Sequence, residues 1–516
     1  MVAFRARACL QGSLPPPPLG LRRGFAEALR AKANARLAVA LLSLSAAVSC
    51  KLGPDYARPP IVTPEKWREL AAADASIANV PWWELFQDEE LRRLITTALE
   101  ENRDLKIAIE RIEEARALYG ISRSELYPQV DARAIGGGLR FSEGSLSHTP
   151  ETGENRDNTK ALYNLDVGFS WELDFFGRVR RANEAELARI LQTQEARRSV
   201  TITLVSEVAR AYMELRDLDR RLEISRRTLE SRREYVELSR ERFEGGVTPE
   251  VDWRQAEAEF FRVQSFVYEV EKLVVQKENE LSLLIARNPG AVPRGRSVED
   301  QPIPPDVPAG LPAALLERRP DVREAEQRLV SATARIGEAK AMLYPRISLT
   351  GTYGFASTDL ENLLDGSSQS WNIFAGLLQP IFNAGKNKRR VEVRESQQRQ
   401  AVYDYERTLL QALREVEDSL IGFQKAGEQR GSQRERVAAE RKVLELSELR
   451  YRGGVAAYLE VLDAQRSLFN AEIDETASLS EHINSLIRLY KALGGGWPTA
   501  EAEPPPPQPA VESKEP

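Results

Sequence analysis

The period of the apolar positions changes several times along the chain, and each change marks an element. Tyr163, Leu165, Val167, Phe169, Trp171 and Leu173 alternate with Asn164, Asp166, Gly168, Ser170 and Glu172. A strict period of two over this length predicts a strand that is oily on one face, polar on the other and long enough to cross a bilayer at a tilt. Ile347, Leu349, Gly351, Tyr353 and Phe355 alternate in the same way with Ser348, Thr350, Thr352 and Gly354. Val130 to Phe141 and Trp371 to Leu378 are the weaker hairpin partners, giving hairpins over 129–173 and 346–379 with polar, Gly/Ser-rich tips near 142–160 and 357–369. Four strands in one chain cannot close a membrane barrel, and an open edge in lipid leaves backbone groups unsatisfied. Several chains must therefore share one barrel; the competing reading is a soluble sandwich, or a hairpin pair covered by helices.

Elsewhere the period lengthens to three and four. Leu187, Ile190, Leu191, Val200, Leu204, Val205, Val208, Leu215, Leu218 and Leu222 recur at these steps, as a coiled-coil packing seam requires. Arg178 to Glu244 contains neither Gly nor Pro, enough for about 100 Å of helix. Gly245-Gly246 predicts the stop, Thr248 an N-cap and Pro249 the first position of a second helix that runs unbroken from Glu250 to Asn288. A second pair is predicted from Lys386 to Arg452, interrupted by Gly422, Gly427 and Gly431, and from Val455 to Leu493. Two shorter helices, Asp104 to Leu126 and Asp321 to Leu343, stop at Tyr-Pro because proline disfavours helix in the residue before it.

These elements read as one unit written twice. RFEGGV (Arg242 to Val247) recurs as RYRGGV (Arg450 to Val455), ELYP (Glu125 to Pro128) as MLYP (Met342 to Pro345), and DFFGRVRR (Asp174 to Arg181) is echoed by PIFNAGKNKRR (Pro380 to Arg390). Three pairs in the same order are improbable by chance. The predicted organisation is a signal peptide over 1–49, an extended lipidated segment over 50–86, a first repeat over 87–290, an equatorial linker over 291–317, a second repeat over 318–497 and a disordered Pro-rich tail over 498–516.

Composition narrows the function. The 516 residues are 42% hydrophobic and 29% charged with a net charge of -6, which suits an ordered chain with mixed surface charge and no sustained basic face for nucleic acid. The two cysteines, Cys9 and Cys50, lie in the first tenth of the chain and the two histidines, His148 and His482, lie far apart. No disulfide framework or His/Cys metal site is therefore expected in the body. There is no Walker loop, dinucleotide fingerprint or His-containing triad, and Gly136-Gly137-Gly138 falls in a strand rather than before a helix. Neither catalysis nor a cofactor is expected.

The amino terminus points to export. Lys32 and Arg36 precede an apolar run, Leu37 to Val48, too short to span a bilayer but suited to a secretory signal. The run ends Ala47-Val48-Ser49-Cys50, which resembles a bacterial lipobox and makes Cys50 the expected site of acylation, a stable anchor once two or more chains are attached. By the same resemblance, Lys51 in place of Asp favours sorting to the outer membrane. Residues 1 to about 30 are longer and richer in proline than a usual signal n-region, pointing to a start codon placed too early.

Several stretches carry a resemblance to a known family: CKLGPDYARP (Cys50 to Pro59), PWWELFQDEEL (Pro81 to Leu91), WELDFFGRVRRANEAE (Trp171 to Glu186), RRPDVREAEQRLVSATARIGEAKAMLYPRISLTGTYG (Arg318 to Gly354), PIFNAGKNKRR and RYRGGVAAYLEVLDAQRSLFNAE (Arg450 to Glu472). From Cys50 to about Trp497 the chain resembles the TolC-like outer-membrane efflux proteins, specifically their lipoprotein, or NodT-type, branch. The resemblance implies an α+β membrane protein in which a long α-helical coiled-coil barrel in the periplasm is continuous with a trimeric transmembrane β-barrel, four strands per chain. It also implies a homotrimer docked, through a periplasmic adaptor, to an inner-membrane transporter, commonly of the resistance-nodulation-division class. The channel would be a passive exit duct for drugs or other small solutes.

In that picture Gly245, Gly246, Val247, Gly453, Gly454 and Val455 form the periplasmic tips where the adaptor docks. Glu250, Asp252, Glu460 and Asp463 would line a constriction and favour cations there, unless they are ordinary solvated helix-face charges. The family often carries an acid soon after the second Gly-Val, whereas here Ala456 and Ala457 follow Val455. Two other functions fit the same elements: a lipid-held periplasmic coiled-coil tether or adaptor, and an outer-membrane duct for secreted peptides or metal ions.

Overall fold

The computed structural model describes residues 51–61, 63–68, 87–140, 159–304, 312 and 315–495. Cys50 with the signal segment, Pro81 to Phe86, the first hairpin tip and the carboxy-terminal tail lie outside the described residues. Contacts divide the chain into two compact units, one built on residues 123–182 and 337–391, the other on 55–122, 183–336 and the chain from 392 onward.

The first unit carries a four-stranded antiparallel sheet in the order β1 (Gln129–Arg140), β2 (Thr159–Leu173), β3 (Arg346–Ser357) and β4 (Gln369–Leu378). The register places Leu165 opposite Phe355, Val167 opposite Tyr353 and Phe169 opposite Gly351, so the apolar residues of β2 and β3 share one face. Asp166, Ser170, Ser348, Thr350 and Thr352 fall on the other. Among the described residues β1 pairs only with β2 and β4 only with β3, which leaves both edges open. Strands hand over to helices through left-handed glycines, Gly177 at φ 78° and Gly385 at φ 80°, where a Cβ would be strained. Trp171 Nε1 donates to Leu126 O at 2.9 Å, tying the Leu-Tyr-Pro corner to the end of β2.

The helices are α1 (Glu89–Glu101), α2 (Arg103–Ser124), α3 (Arg178–Glu244), α4 (Glu250–Leu284), α5 (Pro320–Ala341), α6 (Lys386–Arg452) and α7 (Tyr458–Ala492), with a single turn at Leu315–Arg318. Their lengths come in pairs: α2 and α5 each have 22 residues, α3 and α6 each 67, and α4 and α7 each 35. In the second unit Trp67, Leu91, Val208, Tyr212, Leu281, Tyr405 and Leu486 belong to one buried cluster. Asp88 fastens it. Fully buried, this carboxylate caps α1 by accepting from the amides of Glu90 and Leu91, and also accepts from Tyr212 OH at 3.1 Å, Arg296 N at 2.9 Å and Gln301 Nε2 at 3.0 Å.

Three sequence expectations need correction. The glycines at 422, 427 and 431 do not interrupt α6, since each costs a helix only about 1 kcal/mol. Gly427 has a use: a Cβ there would lie 3.2 Å from His482 Nε2 on α7. Thr248 is not the N-cap of α4. Pro249 holds that place at φ -70° and ψ 153°, an extended conformation its ring already favours, and the Thr248 hydroxyl has no partner. Finally, α4 stops at Leu284 and not at Asn288, because Ala286 turns into the left-handed region at φ 55°.

Candidate functional site

Two places carry the candidate chemistry, the helix tips and the strand faces. At the first tip Gly246 is left-handed at φ 69°, Val247 N donates to Arg242 O at 2.9 Å and Gly246 N donates to Phe243 O at 2.9 Å. This pair of bonds is a Schellman closure, which satisfies the last carbonyls of α3 without help from side chains. The second tip repeats it: Gly454 has φ 72°, Val455 N donates to Arg450 O and Gly454 N to Tyr451 O, both at 3.0 Å. Neither following helix has a side-chain cap, with Pro249 and Ala457 as the two N-caps. Val247 and Val455 are 73% and 71% exposed, so each turn presents an apolar residue to its surroundings.

Behind the turns lies an aromatic set. Phe243 stacks on Trp253 at 5.8 Å, and the Arg254 guanidinium sits 3.8 Å from the Trp253 ring centre. Arg242 donates to Tyr451 OH at 2.9 Å and covers that ring at 5.2 Å. Tyr458, buried against Tyr235 and Tyr451, has its phenol pushed up to about 12, chiefly by burial. Sequence reading misses these contacts; the aromatic residues shortly before each Gly-Gly, Phe243 and Tyr451, are the available signal.

On the sheet, the apolar row stands open: Val167 and Tyr353 are about half exposed, and Trp371, Ile373 and Leu377 on β4 more so. On the polar face Arg133 pairs with buried Asp166 at 3.2 Å, and Asn372 Nδ2 donates to Thr352 Oγ1. β2 has 15 residues, ample for a tilted strand to cross about 30 Å of hydrocarbon. Among the described residues no helix is long and apolar enough to cross a membrane.

Comparison with known proteins decides what such an arrangement is. A family described as outer membrane efflux protein matches residues 94–287 and 311–495. The chain belongs to that family. Among its relatives, the solvent efflux pump outer membrane protein SrpC of Pseudomonas putida is 38% identical over 460 residues, covering 88% of this chain and 96% of the relative. The cation efflux system protein CusC of Escherichia coli is 34% identical over 458 residues, covering 88% and 97%. The crystal structure of the open state of the Neisseria gonorrhoeae MtrE outer membrane channel superposes with a TM-score of 0.77 at 31% identity, covering 87% of this chain and 98% of that one.

This efflux protein is therefore an outer-membrane channel with a helical part in the periplasm. Of the four acids considered as constriction charges, Glu250 accepts from Arg254 at 3.1 Å and Glu460 from Arg450 at 2.9 Å. Asp463 is exposed, and burial pushes the Asp252 carboxyl up. The first two are thus already paired within the chain, as solvated helix-face charges often are.

Proposed function

We propose that the protein is the exit duct of a tripartite efflux pump, assembled as a homotrimer whose three sheets join into one twelve-strand barrel. The observation that carries this reading is the sheet with two open edges and one apolar face, a structure that cannot sit in lipid as a single copy. The paired element lengths support an internal repeat, with α3 and α4 answering to α6 and α7. In this reading the Gly245–Val247 and Gly453–Val455 turns are the docking points for a periplasmic adaptor, which links the duct to an inner-membrane transporter. Asp252 and Asp463, free of the ion pairs that hold Glu250 and Glu460, are the acids left to bias the tip toward cations. Acylated Cys50 anchors the amino terminus. The named relatives serve solvent and cation efflux, so the transporter upstream, and not the duct, selects the cargo.

Purified mature protein in a planar bilayer tests the proposal. Discrete conductance steps, together with an oligomer band on a gel that collapses to monomer on heating, are expected. A monomer that dissolves without detergent once its acyl chains are removed would rule it out and favour the tether.

A further inference from the structure

Within the helical unit, α3, α6 and α7 border a pocket of 510 Å³ lined by Arg227, Ser231, Arg232, Arg441, Gln465 and Glu472, among others. Its arginines are not equivalent. Arg227 and Arg441 are exposed at the rim and share one carboxylate, Glu472, at 2.7 and 3.2 Å. Arg232 is 3% exposed and donates through one terminal nitrogen to the amide oxygen of Gln465, while its Nε has no acceptor. The buried carboxylate whose charge it feels most, Glu259, is already taken by Arg262 and by Arg466 at 2.7 Å. An amide therefore stands where a counter-charge would be expected. Tyr458 OH, on a side chain 1% exposed and close enough to interact electrostatically with Arg232, also has no hydrogen-bond partner.

Burying a guanidinium without an anion is costly, and leaving one of its N–H groups unmade adds to the cost. Burial draws the Arg232 guanidinium below its ordinary value, outweighing the nearby Glu259 carboxylate. We propose that this pocket is an oxyanion site, in which one small carboxylate or phosphate is held by Arg232 and steered in by Arg227 and Arg441. The guanidinium fork suits a planar or tetrahedral oxyanion and not a spherical ion. Glu472 and Glu448, the latter held by Tyr235 at 2.8 Å, line the same pocket and limit it to a single small anion. Such a ligand bridges α3 to the α6 and α7 pair and stabilises the fold that binds it.

The test does not depend on conduction, so it can fail while the channel reading stands. Sodium phosphate and sodium acetate are titrated separately into the full mature protein in detergent, with ionic strength fixed by sodium chloride, and unfolding is followed by circular dichroism. A saturable rise in Tm with either probe is expected, phosphate alone or acetate alone naming the preferred oxyanion. In Arg232→Gln the apparent Kd should weaken roughly tenfold to a hundredfold, the range for losing one charged hydrogen bond. Arg441→Gln, at the exposed rim, should weaken it less, and Arg436→Gln, paired with Asp474 away from the pocket, should not change it. If Arg232→Gln does not fold, the contrast between Arg441→Gln and Arg436→Gln decides. No saturable rise, an equal rise in all variants, or a map recorded in phosphate with only water beside Arg232 in the pocket would overturn the proposal.

Discussion

The sheet and the helical unit solve the problem of apolar surface in opposite ways. The helical unit turns its oily residues inward onto one another, with α7 burying Leu479, Ile483, Leu486, Leu489 and Tyr490. The sheet turns Val167, Tyr353, Trp371 and Ile373 outward and leaves both edges unpaired. One region buries its apolar residues within a single chain; the other, in the reading proposed above, is completed by lipid and by further strands. Even within the helical unit the burial is incomplete: α3 exposes Leu187 and Leu191, α4 exposes Phe261 and Tyr268, and α6 exposes Val393, Tyr403 and Leu410.

The largest effect should come from charging the outward row. Ile373→Arg is expected to cost about 2–4 kcal/mol in the membrane and to abolish the heat-sensitive oligomer while leaving the helical content seen by circular dichroism intact. Asp88→Ala should do the reverse. It removes a cap and three further hydrogen bonds from a buried carboxylate, lowering stability by about 2–3 kcal/mol, read as a fall in Tm. Should Ile373→Arg melt the helices, or Asp88→Ala spare them, the division of labour between the two regions is wrong.

Smaller changes probe the two tips. Gly246→Ala and Gly454→Ala each force a Cβ into the left-handed region, at about 1–2 kcal/mol, and should lower Tm by equal amounts because the two closures are alike. Thr248→Ala should be nearly silent in the same measurement. A true N-cap would lose about 1 kcal/mol, but this hydroxyl bonds to nothing.

Periodicity makes the elements legible. Arg178–Glu244 as a helix, and the face assignment of β2 and β3, follow from spacing alone, because strands and long helices impose their repeat on neighbouring residues. The Gly-Gly turns are equally legible, since few residues other than glycine accept a positive φ. Capping is harder, as Thr248 and Pro249 both suit a helix start and backbone geometry chooses between them. Contacts such as Asp88 with Gln301, or Arg232 with Gln465, are not legible at all. They join residues more than two hundred positions apart, and nothing local in a sequence distinguishes such a carboxylate or guanidinium from one that faces water.

Because both turns close on main-chain bonds, and the side-chain contacts that back them come from residues such as Phe243, Trp253, Arg450 and Glu460, the reversal of direction asks little of the side chains at 248, 456 and 457. Those positions are at liberty to drift. A lineage can therefore retune the surface of each turn, one substitution at a time, while the rods behind it keep their length.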